Sequence, residues 1–130
     1  MDAAIYVPRE TWALAPDSIH RWYAIARKLR DITDLDFVTR QSITDGVLRS
    51  CRVLVMAESP VLEPKVAATI ERWVERGGVL IAAPKTGEII GGWLYANTAW
   101  RTRLLPPESD SEGLLVRRLE GDAPARWTLK

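Results

Sequence analysis

Few residues in this chain have the types that do covalent chemistry, and they are widely spaced. Cys51 is the single cysteine and His20 the single histidine. A thiol nucleophile needs an imidazole within hydrogen-bond reach, and a structural metal site needs a cluster of thiols or imidazoles. His20 falls in the first turn of an amphipathic segment and reads as a surface residue, while Cys51 reads as a small buried hydrophobe at a strand start. The sequence therefore assigns no catalytic residue, no metal ligand and no cofactor. The remaining candidates follow apolar runs. Arg9, Glu10, Thr11 and Trp12 come after AAIYV, Glu58 and Ser59 after VLVMA, and Lys85, Thr86 and Glu88 after VLIAAP. Glu10 with Glu58 would serve glycoside hydrolysis only if held about 5–10 Å apart across a sugar-sized cleft. Ser59 as a nucleophile lacks a recognisable base. What remains is ligand binding by Arg9, Glu10, Trp12, Glu58, Ser59, Lys85, Thr86 and Glu88. The plainer reading of Glu58 and Ser59 is that they cap the helix that follows.

The elements that must position these residues centre on Arg52 to Gly87. Val53 to Met56 is a short β-favouring apolar run, as in a strand buried on both faces of a parallel sheet. Pro64 suits a first helical turn, and Leu62, Val66, Ile70, Trp73 and Val74 share one helical face. Gly77 and Gly78 supply the left-handed residue that ends the helix, and Val79 to Ala83 is the next strand. Upstream, Ala3 to Val7 reads as a first strand stopped by Pro8, and Arg9 to Ala15 as a loop. Asp17 or Ser18 caps a helix with Ile19, Trp22, Ala26 and Leu29 inward. Leu35 to Val38, carrying Asp36, reads as an edge strand, Ser42 to Gly46 as loop and Val47 to Ser50 as a turn. Downstream, Trp93 to Leu105 reads as a short helix and 106–113 as an exposed loop. Leu114 to Leu119 and Arg126 to Leu129 read as a hairpin turning at Gly121 and Asp122. The expectation is a flavodoxin-like α/β three-layer sandwich, with a mostly parallel sheet and the C-terminal hairpin at its edge.

Composition excludes several partners. A chain of 130 residues with 47% apolar content suits one domain spanning 1–130, and a net charge of +1 gives no field that would favour nucleic acid or an anionic membrane. The start, MDAAIYVPRE, lacks the basic flank and apolar stretch of a secretion signal, and no run reaches about twenty apolar residues. A cytoplasmic location is expected. The loop PRETWALAP has neither the glycines nor the hydroxyls of a phosphate cradle, which argues against a flavin or nucleotide site there. A phosphoacceptor receiver would need paired acids after the first strand and an aspartate after the third, where this chain has Glu10 alone and Ala57, Glu58.

The segment SPVLEPKVAATIERWVERGG, the VLIAAP strand and the KTGE turn with Thr86, Gly87 and Glu88 resemble the class I glutamine-amidotransferase-like family. The resemblance is closest to the version found as the trimerisation domain of bacterial β-galactosidases and in related glycoside-hydrolase accessory domains, and it covers Ile5 to Glu88. Catalytic members place a cysteine on a strand-to-helix elbow after the strand that follows the double glycine, with a histidine later in the chain. Pro84 and Lys85 stand at those positions here. The resemblance therefore implies a non-catalytic accessory or oligomerisation domain associated with a carbohydrate-active enzyme.

Six tryptophans in 130 residues are more than a core of this size requires. Trp22 and Trp73 fall on core-facing stripes. Trp12, Trp93 and Trp100 fall in or beside loops at the presumed functional edge, where they would meet a partner subunit, stack on sugar rings or fold inward. The expected partner is a second copy of the chain or a neighbouring enzyme domain, with carbohydrate as the alternative ligand.

Overall fold

The computed structural model describes residues 2–31, 33–83 and 86–90, together with the strands 114–117 and 125–127. The elements run β1 Ala3–Tyr6, α1 Arg9–Leu14, α2 Ser18–Arg30, β2 Asp36–Val38, α3 Arg40–Thr44, a 3-10 turn Val47–Ser50 and β3 Val53–Met56. They continue with β4 Val61–Leu62, α4 Pro64–Glu75, β5 Val79–Ala82, β6 Ile89–Ile90, β7 Leu114–Arg117 and β8 Ala125–Trp127.

The main sheet has the order β2-β1-β3-β5-β7-β8. Its first four strands are parallel, and β7 and β8 add antiparallel. This is a flavodoxin-like α/β fold with a C-terminal hairpin at one edge and β2, bearing exposed Asp36 and Phe37, at the other. Alternation along the central strands splits the core in two, because successive side chains leave opposite faces of a strand. Ala4, Tyr6, Leu54, Met56, Leu80 and Ala82 face α3 and α4, where Val66, Ile70, Trp73 and Val74 cover them. Ile5, Val55 and Ile81 face α2, where Trp22 and Ala26 close the other layer.

The structure corrects several local expectations. Arg9–Leu14 is a helix rather than a loop, tied down by tertiary contacts: Thr11 is buried, and its hydroxyl meets both the N–H and the C=O of Val61 at 3.3 and 3.4 Å. Arg40–Thr44 is likewise a helix that takes in most of the expected Ser42–Gly46 loop. A reciprocal cap starts it, since the Thr39 N–H donates to Ser42 Oγ (2.7 Å) and the Ser42 N–H to Thr39 Oγ1 (3.3 Å). Asp17 stands at the N-cap position of α2 but makes no side-chain cap bond, and Ser18 Oγ donates back to the Ala15 carbonyl at 2.7 Å. Nor do Glu58 and Ser59 cap α4, whose N-cap residue is Glu63 with no side-chain bond, Pro64 filling the first turn. Leu62 belongs to β4, which pairs in parallel with β6, a two-residue ladder too short to leave a pattern in sequence.

The double glycine divides its labour. Gly77 takes the left-handed conformation, φ +105°, that ends α4. Gly78 is there for space, since a Cβ on it would stand 2.3 Å from Trp73 Cδ2. The expected helix at 93–105, the loop at 106–113 and the turn at Gly121 and Asp122 lie outside the described residues.

Candidate functional site at the carboxyl edge

Strand order reverses between β1 and β3, and in open α/β sheets the crevice at such a reversal, beyond the carboxyl ends of the strands, is where ligands bind. The segments after Tyr6 and after Met56 meet there. Ala83 N–H donates to the Met56 carbonyl (2.8 Å) and Gly87 N–H to the Ser59 carbonyl (3.1 Å), which brings the third loop in beside them.

The side chains expected to act at this edge are largely engaged in building it. Ser59 is fully buried, and its hydroxyl donates to the Ala57 carbonyl at 2.9 Å. Thr86 is fully buried, with its hydroxyl 3.4 Å from the Met56 carbonyl oxygen it donates to. Trp12 is half-buried and stands edge-on to Trp22 at 5.3 Å, with its indole N–H enclosed and unpartnered among the described residues. Arg9 is exposed and Glu88 half-buried. Lys85, Trp93, Trp100 and the elbow residue Pro84 lie outside the described residues.

The two carboxylates have different surroundings. Glu10, only 9% exposed, accepts a 2.6 Å hydrogen bond from the Tyr6 hydroxyl on Oε2, and its Oε1 is buried without a partner among the described residues. Burial pushes its carboxyl above the usual carboxylate range, against the opposing pull of the Tyr6 bond. Burial, followed by the bond to Glu10, also raises the Tyr6 phenol, which stays protonated. Glu58 is half-exposed, and its Oε2 accepts from Arg21 Nε on α2 at 3.2 Å. Its φ of +47° makes it the one non-glycine residue in the left-handed region among those described. Beside them Arg40 and Glu63 pair at 2.6 Å, close enough for Glu63 to raise and Arg40 to lower both the Tyr6 and the Glu10 ionisation.

Tyr6, Arg21, Arg40 and Glu63 are members of this cluster that sequence reasoning missed. Only Tyr6 left a trace there, as a hydroxyl at the end of an otherwise apolar strand four residues before Glu10. The ion pairs span 37 and 23 positions and have no local signature.

Cys51 lies at the opposite end of the sheet from His20. It precedes β3 and is buried, its thiol donating to the Val53 carbonyl at 3.1 Å, and burial pushes that thiol up, away from the reactive thiolate. His20 sits exposed in the first turn of α2, on the carboxyl side. Among the described residues no group of His, Cys, Asp and Glu could hold a metal ion, and no helix is long and apolar enough to cross a membrane.

The chain matches no protein-family model, no curated protein and no solved structure.

Proposed function

We propose that this chain is a non-catalytic module of the amidotransferase-like type, serving assembly, either by self-association or against a neighbouring domain of a carbohydrate-active enzyme. The observation that carries this reading is where the polar groups of the carboxyl edge go. Ser59 and Thr86 spend their hydroxyls on backbone carbonyls, Thr11 holds β4, and one oxygen of Glu10 is bonded to Tyr6. A working edge would keep such groups aimed at a substrate. The separation of Cys51 from His20 across the length of the sheet supports the same conclusion, because no thiol can be activated by an imidazole at that remove. The link to carbohydrate-active enzymes rests on the resemblance carried by SPVLEPKVAATIERWVERGG and KTGE. The cytoplasm is the compartment this reading favours, with a lone buried thiol and no disulfide to form among the described residues. Sedimentation equilibrium over a wide concentration range tests it: reversible self-association is expected, and a strict monomer at the highest soluble concentration overturns the oligomerisation reading.

A second reading, a small-ligand or sugar-binding module at the same edge, is favoured by two specific features. Glu58 is held in a backbone conformation that costs about 1 kcal/mol, and strain of that kind gathers at ligand clamps. Glu10 Oε1 and Trp12 Nε1, two positions apart on α1, are a buried acceptor and a buried donor without a partner among the described residues. Thermal shifts across a panel of saccharides decide this reading, because a ligand that binds only the folded state raises the melting temperature. A flat panel removes it.

A further inference from the structure

A cavity of about 820 Å³ lies at the amino edge of the sheet, opposite the site described above, among the starts of β3 and β5, the last turn of α4 and the Val47–Ser50 turn. That volume is in the range of small-molecule pockets, about 300–1,000 Å³. Four arginines line it. Arg49 and Arg52 come from the segment leading into β3, and Arg72 and Arg76 from the end of α4, one helical turn apart. No aspartate or glutamate is among its described lining residues, and neither ion pair of the described residues involves these arginines.

Helix termination explains part of this charge. Arg76 Nε donates to the Arg72 carbonyl (3.2 Å) and Arg72 to Thr69 Oγ1 (3.4 Å), and cations at a helix C-terminus offset its partial charge of roughly −0.5. That account leaves Arg49 and Arg52 out. The Arg49 guanidinium folds over Gly46, 3.3 Å from where a Cβ would be, and among the described residues neither side chain has a hydrogen-bond or ionic partner. All four arginines are exposed at the lining of one cavity, where a single anion is attracted by several like charges at once.

We propose that this groove binds a compact polyanion, a small molecule carrying two or three linked phosphoryl groups. Planar guanidinium forks match phosphate oxygens in pairs, and several cations in one cavity call for several negative charges on one ligand. Compactness follows from the charge balance: with the whole chain at +1, the residues other than these four arginines sum to −3 (+1 less 4), so net charge gives a long anion such as nucleic acid no added attraction beyond the groove. Trp73 forms a fixed wall, its indole N–H already held by the Cys51 carbonyl at 3.1 Å.

Calorimetric titration of the full chain with pyrophosphate, tripolyphosphate and ATP tests the proposal, the first two separating the phosphate chain from a nucleoside. Saturable binding that weakens with added salt is expected. Arg49→Gln with Arg52→Gln, and separately Arg72→Gln with Arg76→Gln, should each weaken it by about tenfold or more. Arg27→Gln with Lys28→Gln on exposed α2 should leave it unchanged. Because the α4 pair also serves its helix, thermal melts without ligand accompany each variant, and the Arg49 and Arg52 pair is expected to melt as the parent does. No binding of any of the three anions overturns the proposal, as does binding that survives both arginine pairs. Titration with single-stranded oligonucleotides of increasing length that saturates while tripolyphosphate does not would assign the groove to nucleic acid and overturn it equally.

Discussion

The Tyr6 hydroxyl donates to Glu10 Oε2 across 2.6 Å, joining the last residue of β1 to the first turn of α1 inside the carboxyl edge of the sheet. The same carboxyl keeps its other oxygen buried and unpartnered among the described residues. An ionised carboxylate there is poorly compensated, and burial accordingly raises the Glu10 ionisation from its ordinary 4.5. The sign of the stability effect follows from proton linkage. Between the ordinary carboxylate range and the raised folded value, the native state holds a proton that the unfolded state has released, so the stability associated with the protonated acid is lost as pH rises through that window. Glu10→Gln imitates the protonated form and still accepts from Tyr6. Urea unfolding from about pH 4 to about pH 8 should show the variant gaining on the parent as pH rises. An advantage that shrinks with pH would show that the folded site favours the charged carboxylate.

Gly77 and Gly78 are adjacent yet should respond to alanine for different reasons. A Cβ on Gly77 would meet nothing within 4 Å, but the residue adopts φ +105°, so Gly77→Ala should cost about 1–2 kcal/mol of backbone strain. Gly78→Ala drives a methyl group to 2.3 Å from a tryptophan ring that is buried and held by its own hydrogen bond. Overpacking of a fixed ring costs about 1–3 kcal/mol, occasionally more, and here belongs at the upper end. Chemical denaturation should rank Gly78→Ala as the more damaging, and adding Trp73→Leu should recover more of the loss at position 78 than at 77. Equal recovery would mean that the indole is free to move.

Cys51 should behave as an inert core residue. Its burial and its raised thiol predict that a thiol reagent labels the native protein slowly at neutral pH, with labelling becoming rapid on addition of denaturant. Rapid native labelling would restore the thiol as a candidate nucleophile.

How far the chain reveals itself depends on whether the signal is local. The β3, α4 and β5 unit was legible because Val53–Met56 and Val79–Ala82 are buried on both faces and read as unbroken apolar runs, while Val66, Ile70, Trp73 and Val74 recur at helical spacing. Helices of six and five residues leave too few turns for a period to emerge, and α1 is held by Thr11 reaching Val61, fifty positions away. That the loops after β1, β3 and β5 gather at one edge of the sheet follows from topology, but the fate of their residues does not. Whether Ser59 faces a ligand or the Ala57 carbonyl depends on a turn whose shape the residue types do not dictate. The arginine groove was the least legible feature, since Arg49 and Arg52 lie on one stretch, Arg72 and Arg76 on another, and only the parallel pairing of β3 with β5 brings the two together.

Glu58 offers the sharpest test of whether strain is held at the carboxyl edge. Its φ of +47° is a conformation that glycine adopts freely and a side chain resists, at about 1 kcal/mol or more. Its bond to Arg21 is partly exposed, and such pairs contribute about 0.2–1 kcal/mol. Glu58→Ala removes the pair and keeps the strained backbone, so it should destabilise modestly. Glu58→Gly removes the same pair and releases the strain, and should therefore be more stable than the alanine variant by about 1 kcal/mol, reaching or exceeding the parent. The comparison cancels the ion pair, which both variants lack, and leaves the backbone term alone. Equal stabilities would mean that the turn relaxes around any residue at 58 and stores nothing. The expected gap would mean that this position retains a side chain at a standing cost, as the ligand-binding reading of this edge requires and a purely structural turn does not.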